Sequence, residues 1–217
     1  IDEFVLQIRP DQTSAVNALI NDEIDVLDLE PANVPEVEGL PNVEIVTFDR
    51  SSFSYFGFNL NEEMTTLFLD PRVRQALYYA FDREAIANDI LLGFATAAQG
   101  TQPTISPAYA PEEATITYDY NPDRARELLA EAGWEDTDGD GIVDKDGQPF
   151  AFELIYASGS PGNDQVVAYV QDAWSQIGVS VTPRALEFAA LIEAITTDTV
   201  WEMVFIGFIW DATFIQD

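Results

Sequence analysis

Apolar positions along the chain follow two alternating periodicities, and this pattern predicts a mixed α/β fold. Stretches with apolar residues three or four positions apart are typical of helices, and shorter runs rich in β-branched and aromatic residues are typical of strands. Helices are predicted at 13–20, 71–80, 83–92, 122–132, 166–177 and 187–195, and strands at 4–8, 24–29, 43–48, 53–59, 151–157, 179–182 and 202–208. Such alternation favours a single α/β lobe over residues 1–217, with helices on the faces of a mixed sheet.

Capping residues place the ends of several predicted helices. Asp70 stands before Pro71, and Asn121 stands before Pro122. In each pair a side chain suited to capping precedes a proline suited to the first helical turn. Gly133 follows the second of these helices, where a glycine in the left-handed conformation commonly ends a helix.

Length and composition are those of a globular lobe. The chain has 217 residues, 47% of them hydrophobic. It can therefore bury a sizeable core, and no apolar run approaches the roughly 18 residues of a membrane span. The opening sequence IDEFVLQIRP predicts a strand instead of an export signal. We therefore expect the chain to be part of a larger protein.

Missing residue types exclude several classes of site. The chain contains no His and no Cys, so Ser-His-Asp and Cys-His nucleophilic sites, zinc sites of the Cys and His type, and disulfides cannot form. The single lysine, Lys145, lies in a predicted turn and is poorly placed for a buried Schiff base. An enzyme built from this chain would have to rely on carboxylates.

The charge balance is strongly acidic. Thirty-nine Asp and Glu residues against nine Lys and Arg give a formal net charge of -30. Such a charge repels nucleic acids and anionic lipid surfaces, so we expect no nucleic-acid partner. The acids are spread along the chain, which favours a solvated acidic surface, either of a salt-adapted protein or of an ordinary acidic exported one.

Five segments, in order, resemble one known protein family. They are TSAVNALINDEIDVLDL (13–29), SYFGFNL (54–60), the segment 70–109 that begins DPRVRQALYYAFDRE, YDYNPDRARELLAEAGW (118–134) and WEMVFIGFIWD (201–211). These sequences are similar to those of the extracellular solute-binding proteins of family 5, the oligopeptide- and dipeptide-binding components of ABC transporters. The resemblance covers nearly the whole chain.

The resemblance implies a fold, a function and partners. The fold would be one lobe of a two-lobed, class C periplasmic-binding-protein-like architecture, and the chain would cover most of the C-terminal peptide-binding lobe. The function would be to capture peptides, or a related amine-bearing solute, outside the membrane and to deliver them to an ABC transporter permease, without catalysis. The protein would be periplasmic or held at the cell surface by a membrane anchor outside this chain. Its partners would be the solute, the permease and the remaining lobes of the parent chain.

The same resemblance nominates residues of the binding site. In the family, an aromatic residue, two further residues and an Asp line the peptide pocket, and the Asp pairs with the α-amino group of the ligand. The matching residues are Phe208, Trp210 and Asp211, with Phe188 as a further aromatic contact. Asp211 could instead be a turn or capping residue, and Phe188 a core residue. We expect no Arg near the cleft to take a peptide carboxylate, which favours longer peptides or other amine-bearing solutes over dipeptides.

A second motif, DTDGDGIVDKDG at 136–147, here called the acidic loop, has the spacing of a calcium-binding loop. Hard divalent ions prefer oxygen ligands, and the loop supplies them at the first, third, fifth, seventh and ninth positions. These ligands would be the carboxylates of Asp136, Asp138, Asp140 and Asp144 and the carbonyl of Ile142. Position twelve is Gly147 instead of Glu, and a strand follows, so a structural Ca²⁺ is expected instead of a sensor. The alternative is a solvated Asp-Gly turn.

Two other functions stay open from the sequence. A calcium-dependent cell-surface interaction module would make the acidic loop its main feature, but the sequence contains no second loop of this kind. A carboxylate-based glycoside hydrolase needs only two suitably spaced acids, and the chain has many.

Overall fold

A computed structural model of the chain describes residues 2–9, 11–98, 100–106, 108–113, 117–197 and 201–209. The helices are α1 (Gln12–Ile20), α2 (Val34–Val37), α3 (Pro71–Tyr79), α4 (Arg83–Ala85), α5 (Pro122–Glu131), α6 (Pro161–Ser175) and α7 (Phe188–Thr196). Short 3-10 turns lie at Pro31–Asn33 and Pro111–Glu113, and a π-helical turn at Ile86–Ile90. The strands are β1 (Ser52–Phe58), β2 (Asp144–Lys145), β3 (Gln148–Pro149), β4 (Ala151–Ala157), β5 (Ser180–Leu186) and β6 (Met203–Ile209).

The central sheet is mixed, as the sequence predicted. Its strands lie in the order β1-β6-β4-β5. β4 runs parallel to β5 and to β6, whereas β1 runs antiparallel to β6. A parallel pair requires a crossover connection, and α6 provides it between β4 and β5. β2 and β3 form a separate hairpin.

Trp174 joins helix α6 to helix α3 in the core. The apolar face of α6 is buried, and Trp174 within it is 1% exposed. Its indole nitrogen donates a hydrogen bond of 2.9 Å to the carbonyl of Leu77 in α3. A buried indole N–H requires such an acceptor. The packing of the two helices is therefore fixed by a polar contact as well as by apolar burial.

Three predicted strands are wrong. Residues 4–8, 24–29 and 43–48 belong to no sheet within the described part of the chain. Most of their large apolar side chains are exposed, among them Phe4 at 80%, Ile8 at 92% and Val26 at 82%. A strand is stabilised by hydrogen bonds to a neighbouring strand, and an apolar pattern alone does not supply that neighbour.

The predicted helix caps are confirmed. Asp70 accepts from the amide of Arg72, and Asn121 from that of Arg124. Asp82 caps α4 in the same way, because it accepts from the amide of Glu84. The predicted helix at 83–92 instead becomes the short α4 followed by the π-helical turn, which the apolar spacing did not indicate. Helix α2 and the hairpin β2–β3 were likewise not predicted.

Gly178 lets the acidic loop pack against the turn between α6 and β5. The amide of Val143 donates a 2.8 Å hydrogen bond to the Gly178 carbonyl. Gly178 has φ +80°, and a Cβ built on it would lie 2.8 Å from Cγ1 of Val143 and 3.4 Å from the carbonyl oxygen of Gly141. No side chain fits there without moving the loop.

Replacing Gly178 tests this contact. Gly178→Ala should destabilise the protein by about 1–3 kcal/mol more than Gly39→Ala, because overpacking adds to the backbone strain. Gly39 is a matched control, since it has the same φ of +80° and a Cβ there meets nothing within 4 Å. Urea unfolding of both variants measures the difference. Equal losses of stability would mean that the loop yields without cost.

Asp70 combines a helix cap with an ion pair. Its carboxylate accepts from the amide of Arg72 at 2.9 Å and from the Arg72 guanidinium at 2.6 Å. The hydrogen bonds from Arg72 lower the pKa of Asp70 below its usual 3.8, although partial burial acts in the opposite direction. The ionised form is therefore stabilised by folding, above all by Arg72.

Asp70→Asn should lose stability in a pH-dependent way. A lowered folded-state pKa contributes stability that is present above pH 3.8 and lost as the pH falls through the folded-state value. We expect a loss of about 0.5–1 kcal/mol at pH 7 that shrinks towards zero in strong acid. Urea unfolding at pH 7 and in strong acid measures this loss of stability, and the exposed Asp119→Asn is the control. A loss independent of pH would show that capping alone matters.

Candidate functional site

A large cavity is the candidate binding site. Its volume is about 1300 Å³, and its walls come from β1, β6, α3, α6, the segment 25–50 and the segments 94–98 and 100–104. Sites for drug-sized molecules typically have about 300–1000 Å³. The cavity therefore has room for a ligand larger than a single amino acid.

Aromatic side chains from the core form the floor of the cavity. Phe56 of β1 stacks on Phe205 of β6 with ring centres 4.8 Å apart, and its edge contacts Trp174 at 5.3 Å. All three line the cavity, and Phe205 and Trp174 are buried. The floor is rigid, because the same rings pack the sheet against α6.

A second aromatic group, more exposed, lies on the same two strands. Phe53 is the antiparallel register partner of Phe208, and their ring centres are 6.1 Å apart. Tyr55 lies 5.6 Å from Phe53, on the same side of β1, since side chains alternate along a strand. Phe208 is 49% and Tyr55 40% exposed. Since 53 and 56 differ by an odd number of positions, these rings lie on the face of β1 and β6 opposite to Phe56 and Phe205, and the cavity reaches both faces around the edge strand β1.

The predicted ligand-binding residues fall into three groups. Phe208 lines the cavity. Phe188, the first residue of α7, is 60% exposed, and it is neither a core residue nor part of the cavity wall. Trp210 and Asp211 lie outside the described residues. The sequence did not nominate Phe53 and Tyr55, although the alternating segment SFSYFGF, read together with an antiparallel partner, would have indicated them.

The sequence did not indicate that arginines reach the cavity wall. Arg50 and Arg83 both line the cavity. Arg83 donates to the carbonyls of Ala98 and, at 2.7 Å, Tyr118, and it lies over the ring of Tyr78, 4.7 Å from its centre. Its guanidinium therefore ties the segment after α4 to the segment before α5.

The acidic loop brings three of its four predicted carboxylates together. Oxygens of Asp136, Asp138 and Asp140 lie within 4.8 Å of one another, and all three residues are exposed. Asp144 is directed elsewhere, because its carboxylate accepts from the amide of Thr137 at 3.0 Å and from its hydroxyl at 2.8 Å.

Backbone amides support the three clustered carboxylates. Asp136 accepts from the amides of Gly139 at 2.7 Å and Gly141 at 3.0 Å, and Asp140 accepts from the amide of Ile142 at 2.8 Å. These bonds offset part of the mutual repulsion of the carboxylates. The loop is apart from the ligand cavity, since none of its predicted metal ligands lines that cavity.

The fold and the cavity are those of a solute-binding protein, and a family comparison agrees. Residues 1–214 match the family described as bacterial extracellular solute-binding proteins, family 5 Middle. The chain therefore belongs to family 5 of these proteins, as its sequence motifs indicated.

Two relatives with different named ligands match most of the chain. The chain is 35% identical over 193 residues to the oligopeptide-binding protein AppA of Bacillus subtilis, covering 89% of this chain and 35% of AppA. It is 28% identical over 193 residues to the heme-binding protein A of Haemophilus influenzae, covering 87% of this chain and 32% of that protein.

A solved structure supports the same assignment. AppA from Bacillus subtilis in complex with a nonapeptide superposes with a TM-score of 0.86 at 33% identity, covering 93% of this chain and 40% of AppA. The chain thus spans little more than a third of the length of the relatives it matches. No helix within the described residues is long and apolar enough to cross a membrane.

Proposed function

We propose that the protein is the solute-capturing component of an ABC importer and that its solute is a peptide. The observation that carries this proposal is the aromatic-floored cavity of about 1300 Å³ in a member of family 5. The relative AppA is named as an oligopeptide-binding protein and has been solved with a nonapeptide. A cavity of this size suits an extended chain of several residues.

Capture without catalysis fits the chemistry of the chain. The matched relatives are named as binding proteins. The aromatic rings that floor the cavity provide contact area but no acid, base or nucleophile, whereas the four carboxylates of its lining all lie on the segment 25–50. A glycoside hydrolase would instead need two carboxylates facing one bond, and a turnover assay on glycosides distinguishes the two functions.

Within the cavity, Phe208 is proposed to pack against the peptide. Trp210 and Asp211 lie two and three positions further along the sequence, and we propose that Asp211 pairs with the α-amino group of the ligand. A carboxylate suits this role, since a charge-assisted hydrogen bond to an ammonium is strong and directional. Phe188 is proposed as a ligand contact only in the assembled protein, because it is exposed and outside the cavity wall here.

The proposed partners include further lobes of the same protein. The segments 4–8, 24–29 and 43–48 expose apolar side chains and pair with no strand in the described part of the chain. The relatives are nearly three times as long as the matched region. We propose that strands of other lobes bind the backbone of these segments and leave their acidic side chains facing the cavity. We also propose that these lobes close over the cavity, and that the assembled protein acts outside the membrane and delivers its peptide to a permease.

Phe208→Ala should weaken peptide binding by about tenfold, because the loss of one packed aromatic contact is worth about 1.4 kcal/mol. Ile209→Ala is the matched control. Ile209 is the next residue of β6, is 72% exposed and does not line the cavity. Calorimetry of the complete protein with a small peptide library measures both variants.

Two outcomes would contradict this assignment. If Phe208→Ala binds peptides as tightly as Ile209→Ala, the Phe208 ring does not contact the ligand. If no peptide binds to the unmodified protein, the peptide proposal fails. Phe188→Ala and Asp211→Ala in the same assay test the two other roles, and the Asp211 variant should lose most of its affinity, because it leaves a buried ammonium unpaired.

We further propose a structural Ca²⁺ in the acidic loop. Asp136, Asp138 and Asp140 would hold it, because their oxygens already converge and carboxylates are the ligands that Ca²⁺ prefers. The carbonyl of Ile142 and the carboxylate of Asp144 are proposed as further ligands. For Asp144 this requires release from Thr137. The ion would stabilise the connection between α5 and β4.

Calcium should therefore raise the melting temperature. At a hundredfold excess over the dissociation constant, a ligand of the folded state adds about 2.7 kcal/mol. The comparison is between Ca²⁺ and chelator, for the unmodified protein and for Asp138→Ala. Asp119→Ala removes the same charge from an exposed site away from the loop and should keep the response. Coinciding melting curves in Ca²⁺ and chelator would show that the loop is only a turn.

A further inference from the structure

The cavity carries unpaired acids but no unpaired base among the residues that the structure describes. Its charged lining consists of four carboxylates and two guanidinium groups. Within that part of the chain, three of the carboxylates have no side-chain partner, whereas both guanidinium groups are already engaged. We therefore infer that the site selects peptides with basic side chains and rejects acidic ones. This inference rests on the proposed function and adds the charge of the ligand to it.

Three of the four carboxylates are available to a ligand. Asp25, Glu44 and Asp49 are exposed on the segment between α1 and β1. No ion pair or side-chain hydrogen bond engages them within the described part of the chain. The fourth, Glu30, accepts a 2.7 Å hydrogen bond from the hydroxyl of Ser160, at the start of α6. The acids that can meet a ligand therefore come from one segment.

Both guanidinium groups already have partners. Arg50 pairs with Asp28 at 2.5 Å. Arg83 donates to the carbonyls of Ala98 and Tyr118, which hold its segment in place. An acidic ligand would have to displace one of these contacts, whereas a basic ligand finds carboxylates that need no rearrangement.

The electrostatic field of the chain acts in the same direction. A net charge of -30 attracts cations to any opening of the surface and speeds their association. Charges more than about 8 Å apart are largely screened at physiological salt, so these acids act mainly on a ligand inside the cavity. The overall charge therefore favours the approach of a basic peptide, and Asp25, Glu44 and Asp49 favour its retention.

The aromatic walls complete the preferred ligand class. Phe56, Phe205 and Trp174 offer buried apolar surface, while Tyr55 and Phe208 are more exposed rings. Aromatic faces bind apolar side chains and also attract Lys and Arg side chains. The favoured ligand is therefore a peptide that combines basic with apolar residues.

The test uses three hexapeptides of the same length and apolar content. Leu alternates with Lys in the first, with Gln in the second and with Glu in the third. Calorimetry of the complete protein at 0.05 M and 0.5 M KCl gives their affinities. We expect the affinity to be highest for the Lys peptide, lower for the Gln peptide and lowest for the Glu peptide. The Lys and Glu affinities should differ at least about tenfold, and this difference should shrink at the higher salt, because salt screens the charges.

A triple variant tests the residues. In Asp25→Asn, Glu44→Gln, Asp49→Asn, the ratio of Lys-peptide to Glu-peptide affinity should fall towards one. The control variant Asp2→Asn, Glu112→Gln, Asp119→Asn removes the same charge from exposed positions outside the cavity wall and should keep the ratio. Melting curves verify that both variants are folded.

The possible outcomes separate this inference from the proposed function. Equal affinity for the three peptides, or a preference for the Glu peptide, overturns the charge selection and leaves peptide capture standing. A ratio that falls equally in both triple variants overturns the role of the cavity acids, since the overall charge then explains it. Failure of all three peptides to bind overturns the peptide proposal, and the charge selection with it.

Discussion

The packing of Trp174 against the sheet is the contact on which both the core and the cavity depend. Its indole nitrogen is bound to the Leu77 carbonyl, and its ring lies at an edge of Phe56. Removal of a buried aromatic ring of this kind costs about 3–5 kcal/mol. Because Phe56 and Phe205 also floor the cavity, the rings that stabilise the lobe also shape its site. A ligand therefore meets a surface whose rotamers are already fixed by the core.

The sequence predicted the helix caps and the four strands of the central sheet, although β1 and β6 pair across about 150 positions. The strand at 151–157 coincides with β4, and the caps at Asp70 and Asn121 begin α3 and α5 as expected. A cap is a local signal, since it bonds to amides within its own first turn. The segments 4–8 and 43–48 have equally apolar sequences, but they pair with no strand in the described part of the chain and therefore form none. The pattern shows that a residue suits a strand, and the topology decides whether one forms.

The site was only partly predictable for a related reason. The resemblance to family 5 nominated Phe208, which lines the cavity, and the family assignment itself is confirmed. Phe53 and Tyr55 were missed because their place beside Phe208 follows from the antiparallel register of β1 and β6, which joins residues about 150 positions apart. The position of Arg83 in the cavity wall was missed for the same reason. Its guanidinium reaches the cavity wall because two distant carbonyls hold it there.

The acidic residues of this protein differ in what satisfies them. In the loop, Asp136 and Asp140 each accept hydrogen bonds from amides two to five positions further along, so local backbone geometry offsets their repulsion. In the cavity wall, Asp25 and Asp49 have no such amides within the described residues, and they stay available to a ligand. A net charge of -30 is thus not one property with one role. Its meaning at each site depends on whether the chain itself already supplies the hydrogen-bond donors.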